Sequence, residues 1–166
     1  MMAENILEKL FEHNNWANLR IIQACFTLSD AQLDAVPQSA TKGSIRRTLE
    51  HLVGSQQGYL SLLTLPVEAR HAIPPAFAEF HQVASVSGEG LLALVRSQPG
   101  QSQNAQLQTK DGFFVEPWVV LVQVINHATE HREQICSMLS TLGVTPPDLD
   151  GWSFGESTGA LFPIST

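Results

Sequence analysis

Apolar residues recur at spacings of three and four along most of the chain, a periodicity typical of amphipathic helices. Four long stretches carry it, separated by segments rich in proline, glycine and serine. The four predicted helices cover residues 3–27, 44–65, 77–95 and 117–142. The pattern therefore predicts an all-α fold, and four helices of this length favour a four-helix bundle.

Residues that start or stop helices lie at the expected boundaries. Ser44 can cap the second helix, and Pro66 ends it. Pro117 is tolerated in the first turn of the fourth helix, and Gly143 suits its C-terminal cap. These signals agree with the periodicity on where each helix begins and ends.

Shorter elements are predicted between and after these helices. Ser29 begins a capping signal for one short helical turn that Pro37 closes. Asp111-Gly112 separates two short β-prone segments within residues 103–116, which indicates a β-hairpin before the last long helix. Residues 144–166 hold paired prolines and several glycines and are predicted to form an irregular strap. We interpret residues 1–166 as a single domain.

Composition narrows the class of protein. With 43% hydrophobic and 15% charged residues the chain is predicted to be globular, and 166 residues can bury a core without disulfides. A net charge of −7 argues against a nucleic-acid partner. The N-terminus lacks an export signal and the longest apolar run near the C-terminal half is short, which predicts a cytoplasmic protein without a membrane partner. Cys25 and Cys136 lie in helical apolar patterns and are expected to be free thiols.

The fourth predicted helix carries the first candidate site. His127 and His131 lie on its inward apolar stripe, and side chains four residues apart stand one above the other on a helix. Two imidazoles at this spacing can bind one metal ion. Alternatively, they are two neutral core groups, each hydrogen-bonded to a neighbour.

The second predicted helix contributes His51. Gly54, Ser55 and Gly58 follow it on the same helical face, and this stripe of small residues leaves space beside a polar group. A metal ion with an open coordination position, together with a substrate, would occupy that space. Alternatively, the glycines only allow close helix packing.

Three neutral imidazoles, from His51, His127 and His131, suit a divalent ion such as zinc or nickel. Three protein ligands leave a position for water or substrate, as in catalytic rather than structural sites. Glu130 and Asn126 flank the pair on the fourth helix. They are interpreted either as hydrogen-bond partners of the ligands or proton carriers, or as residues facing another helix or solvent, and no catalytic residue is assigned.

The remaining histidines and the tryptophans are weaker candidates for the metal site. His13 shares a stripe with apolar residues, so it either borders the site or is a hydrogen-bonded core histidine. His71 and His81 lie in or beside a proline-rich loop and are expected at the surface. The tryptophans are interpreted as anchors of the core or of the strap: Trp16, Trp118 and Trp152.

Several segments together resemble the DinB/YfiT-like family of bacterial metalloenzymes. The first and last are weak motifs alone, whereas the histidines with their flanking residues are fairly specific. The segments are HNNWAN at 13–18, TLEHL at 48–52, NHATEHR at 126–132 and LGVTPPDLD at 142–150. The resemblance covers nearly the whole chain in the family's order.

This resemblance implies an up-down-down-up four-helix bundle, often a homodimer, with a metal site at His51, His127 and His131. Members include S-transferases and an isomerase that use low-molecular-weight thiols, and proteins described as metal-dependent hydrolases. One departure is His13, where the family usually has tyrosine. That difference leaves His13 as a possible fourth ligand.

Three hypotheses follow from the sequence. The first is an enzyme whose metal ion activates a thiol or water for attack on a small electrophilic substrate, as a thiol S-transferase or a hydrolase. The second is a non-catalytic bundle that binds a metal or small ligand as a sensor or dimerisation module. The third is a plain helical bundle with three hydrogen-bonded core histidines.

Overall fold

The computed structural model describes residues 5–37, 43–70, 74–97 and 106–164. Within these ranges the chain is mostly helical, with six α-helices, two short 3-10 helices and one two-stranded antiparallel sheet. The α-helices are α1 (Ile6–Cys25), α2 (Asp30–Asp34), α3 (Ile45–Thr64), α4 (Phe80–Ser97), α5 (Pro117–Thr141) and α6 (Gly151–Thr158). The 3-10 helices are Val67–Ala69 and Phe77–Glu79, and the strands are β1 (Leu107–Gln108) and β2 (Phe114–Val115).

The four long helices pack against one another along their apolar faces. Helix α1 contacts α4 and α5, and helix α3 also contacts α4 and α5. Buried apolar side chains form two clusters, one around Ile21, Leu49 and Ile135 and the other around Phe11 and Val124. Burial of these side chains is the main favourable contribution to folding.

Local signals in the sequence account for the helix ends. The Ser29 side chain and Gln32 form the predicted capping box at the start of α2. Ser44 caps α3, its hydroxyl accepting from the Arg47 N–H. Pro117 opens α5, and Gly143 takes a positive φ of 71° just after its end. The predicted hairpin is confirmed, with Leu107 opposite Val115 and Gln108 opposite Phe114.

Two sequence predictions about the secondary structure were incomplete. The predicted strap contains α6, which Asp150 begins by accepting a hydrogen bond from the Ser153 N–H at 2.8 Å. Two glycines within eight residues give α6 little intrinsic helix propensity, which is why it went unpredicted. The third predicted helix is α4, preceded by a 3-10 turn. Predicted positions at Ala3 and His71 lie outside the described residues.

A layer of buried polar side chains separates the two apolar clusters. Asn14, Asn18, Gln56, Ser87 and Arg132 are each at most 4% exposed. In α1, α3 and α4 the polar member lies in sequence between residues of the two clusters, whereas Arg132 on α5 lies between Ala128 and Ile135 of the first cluster. We call these five residues the polar layer.

The polar layer is a chain of hydrogen bonds that reaches all four long helices. Arg132 on α5 donates to Asn14 and Asn18 on α1, at 2.8 and 2.6 Å. Asn18 donates to Gln56 on α3 at 2.7 Å, and Gln56 donates to Ser87 on α4 at 2.7 Å. Because buried polar groups are costly unless paired, these bonds favour one relative placement of the four helices.

Candidate metal centre

Three histidines from two helices converge at one point. His127 and His131 lie one turn apart on α5, and His51 lies on the facing side of α3. The His127 Nε2 is 3.0 Å from the His51 Nε2 and 3.1 Å from the His131 Nε2. One nitrogen from each of the three rings lies within 4.8 Å of the others. The residues that the sequence assigned to one site are therefore brought together.

A hydrogen bond selects the tautomer of His131. Its Nδ1 lies 2.8 Å from the Oε1 of Gln134, and a carboxamide oxygen can only accept. Nδ1 therefore carries the proton, so the lone pair of Nε2 faces the other two rings. That is the form of imidazole that binds a metal ion, and such outer hydrogen bonds commonly fix metal-ligating histidines.

Two of the three separations between ring nitrogens are close to those around a metal ion, and the third is at most 4.8 Å. Zinc binds imidazole nitrogen at about 2.0–2.1 Å, so two tetrahedral ligands lie about 3.3 Å apart. The two Nε2 separations of 3.0 and 3.1 Å are within a few tenths of that spacing. Three neutral nitrogen donors also match the preference of borderline divalent ions. The histidine cluster can therefore hold such an ion.

The cluster is buried on one side and reaches solvent on the other. His131 is 3% exposed, whereas His127 is half-buried and His51 is more exposed. The ring of Tyr59 meets His127 edge to face, with centroids 5.7 Å apart. Burial raises the pKa of Tyr59, so its hydroxyl keeps its proton at neutral pH. A small molecule can approach from the side of His51.

A pocket begins one helical turn from His51. Its floor is formed by Gly54 and Gly58, and a Cβ atom added at either glycine would meet no atom within 4 Å. Close helix packing therefore does not explain these glycines. The pocket has a volume of about 240 Å³, and Arg70 and Lys110 contribute to its rim. Gly54 and Gly58 therefore border open space, as predicted, although none of the three histidines lines this pocket.

Other sequence candidates lie apart from this cluster. The His13 Nε2 is 2.7 Å from the Leu149 carbonyl oxygen, and its ring packs against Trp16 and Phe154. His13 therefore attaches α1 to the segment around α6 and is not part of the cluster. On α5, Asn126 and Glu130 are both exposed, which matches their solvent-facing interpretation.

The two cysteines are free, as the sequence predicted. Burial raises the pKa of the Cys25 thiol to about 12 and that of Cys136 to about 11. Both thiols are therefore protonated at neutral pH, and a neutral thiol is a poor ligand and nucleophile. Two of the predicted tryptophan anchors were wrong, because Trp118 and Trp152 are 64% and 72% exposed.

Sequence reasoning missed three residues beside the cluster. Gln134 and Tyr59 contact ring atoms of the histidines, yet each reads as an ordinary helix-surface or core residue. Arg132, next to His131, is 3% exposed and belongs to the polar layer. Burial lowers its pKa to about 10, so it stays charged at neutral pH. The four-residue spacing of Asn14 and Asn18 was the available signal for a buried polar partner.

Within the described chain, no helix combines the length and apolar character needed to cross a membrane. No curated protein matches this sequence. A crystal structure of a candidate DinB family member from Exiguobacterium sibiricum 255-15 is similar in fold, with a TM-score of 0.68 and 17% identity. The similarity covers 89% of this chain and all of that one. The model of the DinB family matches residues 1–163, so this chain belongs to the DinB family.

Proposed function

We propose that the protein is a metal-dependent enzyme in which a divalent ion held by His51, His127 and His131 activates a thiol or a water molecule. The substrate is a small electrophile, and the reaction is S-transfer or hydrolysis. The observation that carries this proposal is the convergence of three imidazole nitrogens, one in a fixed tautomer, beside an open pocket.

The protein's own residues supply orientation. Gln134 holds the His131 ring in its metal-binding form, and the Tyr59 ring limits the rotation of His127. Neutral imidazoles leave the positive charge of a bound ion uncompensated, which favours deprotonation of a bound water or thiol. Because the thiols of Cys25 and Cys136 are buried or half-buried and protonated, an attacking thiol would come from a separate small molecule.

The pocket favours an enzyme over a non-catalytic sensor. A site that only stores or senses an ion is commonly closed, with its coordination filled by protein atoms. Here, the described residues offer three clustered ligands and a neighbouring space of about 240 Å³. A substrate can therefore lie beside the ion.

We also propose the arrangement in which this enzyme works. The contacts of α1 and α3 with α4 and α5 support a single-domain four-helix bundle of up-down-down-up order. We place it in the cytoplasm as a homodimer, and exposed apolar side chains in the hairpin and at the start of α5 support the dimer. The most exposed of these are Phe113, Phe114 and Trp118.

Metal content tests the proposal directly. Untagged protein should bind about one zinc or nickel ion per chain, measured by elemental analysis after dialysis, and the triple variant His51→Ala/His127→Ala/His131→Ala should bind none. His81→Ala is the matched control, because it removes a histidine of α4 outside the cluster. Equal metal content in the wild-type protein and the triple variant would refute the site.

Turnover tests the chemistry once binding is established. The metal-loaded protein should consume a small electrophile either with a low-molecular-weight thiol or with water alone, and the triple variant should do neither. A thiol requirement identifies an S-transferase, whereas turnover without thiol identifies a hydrolase. A fully loaded protein that is inactive with a broad panel of electrophiles, with thiols and with water, would favour the non-catalytic alternative.

A further inference from the structure

The pocket beside α3 carries two cations on its rim. Its floor is the backbone of Gly54 and Gly58, Arg70 follows α3, and Lys110 lies in the turn of the hairpin. The volume of about 240 Å³ is far more than a single water molecule needs. The pocket is therefore large enough for part of a small substrate.

Both cations are held by backbone carbonyl groups rather than by acids. The Arg70 guanidinium donates to the carbonyl oxygens of Leu65, at 2.9 Å, and of Leu62 and Gln108. The Lys110 ammonium donates to the carbonyl oxygen of Arg70. Carbonyl groups fix the positions of these cations but do not neutralise their charge.

Other arginines of the same chain do pair with carboxylates. Arg46 binds Asp30 and Asp34, and Arg96 binds Glu8 and Glu12, all at 2.6–2.8 Å. Among the described residues no carboxylate pairs with Arg70 or Lys110, although the chain has 16 acidic residues against 9 basic ones. The pocket is therefore a positive region on a negatively charged protein.

The two cations keep donors for a further partner. Toward the described part of the chain, Arg70 uses three of the five N–H groups of a guanidinium, and Lys110 uses one of three. The planar guanidinium matches the geometry of a carboxylate or a phosphate. The hydroxyl of Ser61 and the amide of Gln57 line the same pocket and can also bind an anion.

The position of the pocket relates it to the histidine cluster. Gly54 and Gly58 follow His51 by three and seven residues, so they share its helical face. At about 1.5 Å per residue the pocket extends along α3 from about 5 Å to about 15 Å beyond His51. Arg70 donates to the carbonyl oxygen of Leu62, which lies about 16 Å along α3 from His51, so a molecule that touches both the cluster and the cations must be about 10–15 Å long.

We propose that this pocket binds an anionic group, a carboxylate or a phosphate, of the substrate whose reacting atom lies at the histidine cluster. That this anionic group belongs to a substrate rests on the proposed function, whereas anion binding itself depends only on Arg70, Lys110 and the glycine floor. The pocket therefore selects acidic molecules and discriminates against their neutral analogues.

Nuclear magnetic resonance titration of the full-length protein tests this. Succinate, inorganic phosphate and neutral succinamide are added to separate samples, and the amide signals of Gly54, Gly58 and Thr109 are followed. Succinate or phosphate should shift these signals to saturation, and succinamide should not. Whichever anion binds more tightly identifies the group. If neither gives a saturating shift at these amides, the proposal is wrong.

Three variants assign the binding to the pocket. Lys110→Gln should weaken the binding at least fivefold, and Gly58→Leu should abolish it by filling the space. Arg20→Gln is the matched control, because it removes one exposed cation from α1. An equal loss in Arg20→Gln and Lys110→Gln would show general charge attraction and would overturn the pocket.

The titration is repeated on metal-stripped protein and on His51→Ala. Anion binding should persist in both, because neither cation belongs to the histidine cluster. Failure of anion binding in protein that still binds metal refutes only the pocket. If the wild-type protein binds the anion but takes up no zinc or nickel when these ions are supplied, only the metal centre is refuted.

Discussion

Replacing Asn18 by leucine should destabilise the protein strongly, because this amide joins two parts of the polar layer. Its Oδ1 accepts from Arg132 at 2.6 Å, and its Nδ2 donates to Gln56 at 2.7 Å. Leucine has the same branching at Cγ. The substitution therefore removes both hydrogen bonds with limited change in side-chain shape.

The expected loss in the free energy of unfolding follows from the two buried groups that Asn18→Leu leaves without their partner. The charged Arg132 guanidinium loses its hydrogen bond to Asn18, and a hydrogen bond that involves a charged group contributes about 1.5–3 kcal/mol. The Gln56 Oε1 loses its donor while buried, which costs about 1–3 kcal/mol. Since Arg132 keeps Asn14 and Thr129 as partners, we expect a total loss of about 3–5 kcal/mol. The whole free energy of unfolding of such a domain is about 5–15 kcal/mol.

Urea unfolding followed by circular dichroism measures this loss. Gln23→Leu is the matched control, because Gln23 is exposed on the same helix and its replacement should change stability by about 0.5 kcal/mol at most. The double variant Asn18→Leu/Arg132→Met should lose less than the sum of the single variants, since the two side chains share a bond. A loss within about 1 kcal/mol of the control would refute the role of the polar layer.

Two further predictions concern glycine positions and the buried thiols. Gly58→Ala should stabilise the protein by about 0.5–1 kcal/mol, because the added Cβ meets open space and alanine favours a helix. Gly88→Ala should destabilise it, because the added Cβ would lie 2.7 Å from the amide oxygen of Asn15. Thermal unfolding of both variants checks the pair, and the same sign for both would contradict it. Burial raises the pKa of Cys25 from 9.0 to about 12. Between pH 9 and 12 the thiol ionises in the unfolded chain but not in the folded protein, so the free energy of unfolding falls over this range and is unaffected by Cys25 below pH 9. From pH 7 to pH 10 the wild-type protein should lose about 1.4 kcal/mol more than Cys25→Ala in urea unfolding, and parallel losses would show that the thiol does not titrate this way.

Much of the secondary structure could be predicted because periodicity and capping residues act locally. Ser44, Pro117 and the Asp111-Gly112 pair each determine backbone conformation through their immediate neighbours. Helix α6 could not be predicted in this way, because its composition disfavours a helix. Its contact with α1, and the attachment of the preceding segment through His13, are tertiary interactions.

The histidine cluster could be predicted because its members obey helical spacing. His127 and His131 lie four residues apart, and the small residues after His51 indicate unfilled space. Arg132 could not be predicted, since arginine is rarely buried and only the three-dimensional approach of α1 supplies its acceptors. The positions of Arg70 and Lys110 could not be predicted for a similar reason, because the hairpin and the loop after α3 meet only in the folded chain.

The polar layer also has a consequence for how a metal ion would bind. Arg132 joins α5 to α1 immediately beside His131, and Asn18 joins α1 to α3, which carries His51. Folding itself therefore arranges the imidazoles before any ion arrives. In small zinc domains the ion drives folding, and chelation unfolds the chain. Here a chelator should yield a folded apoprotein that reloads rapidly and reversibly, a behaviour suited to exchanging metals without refolding.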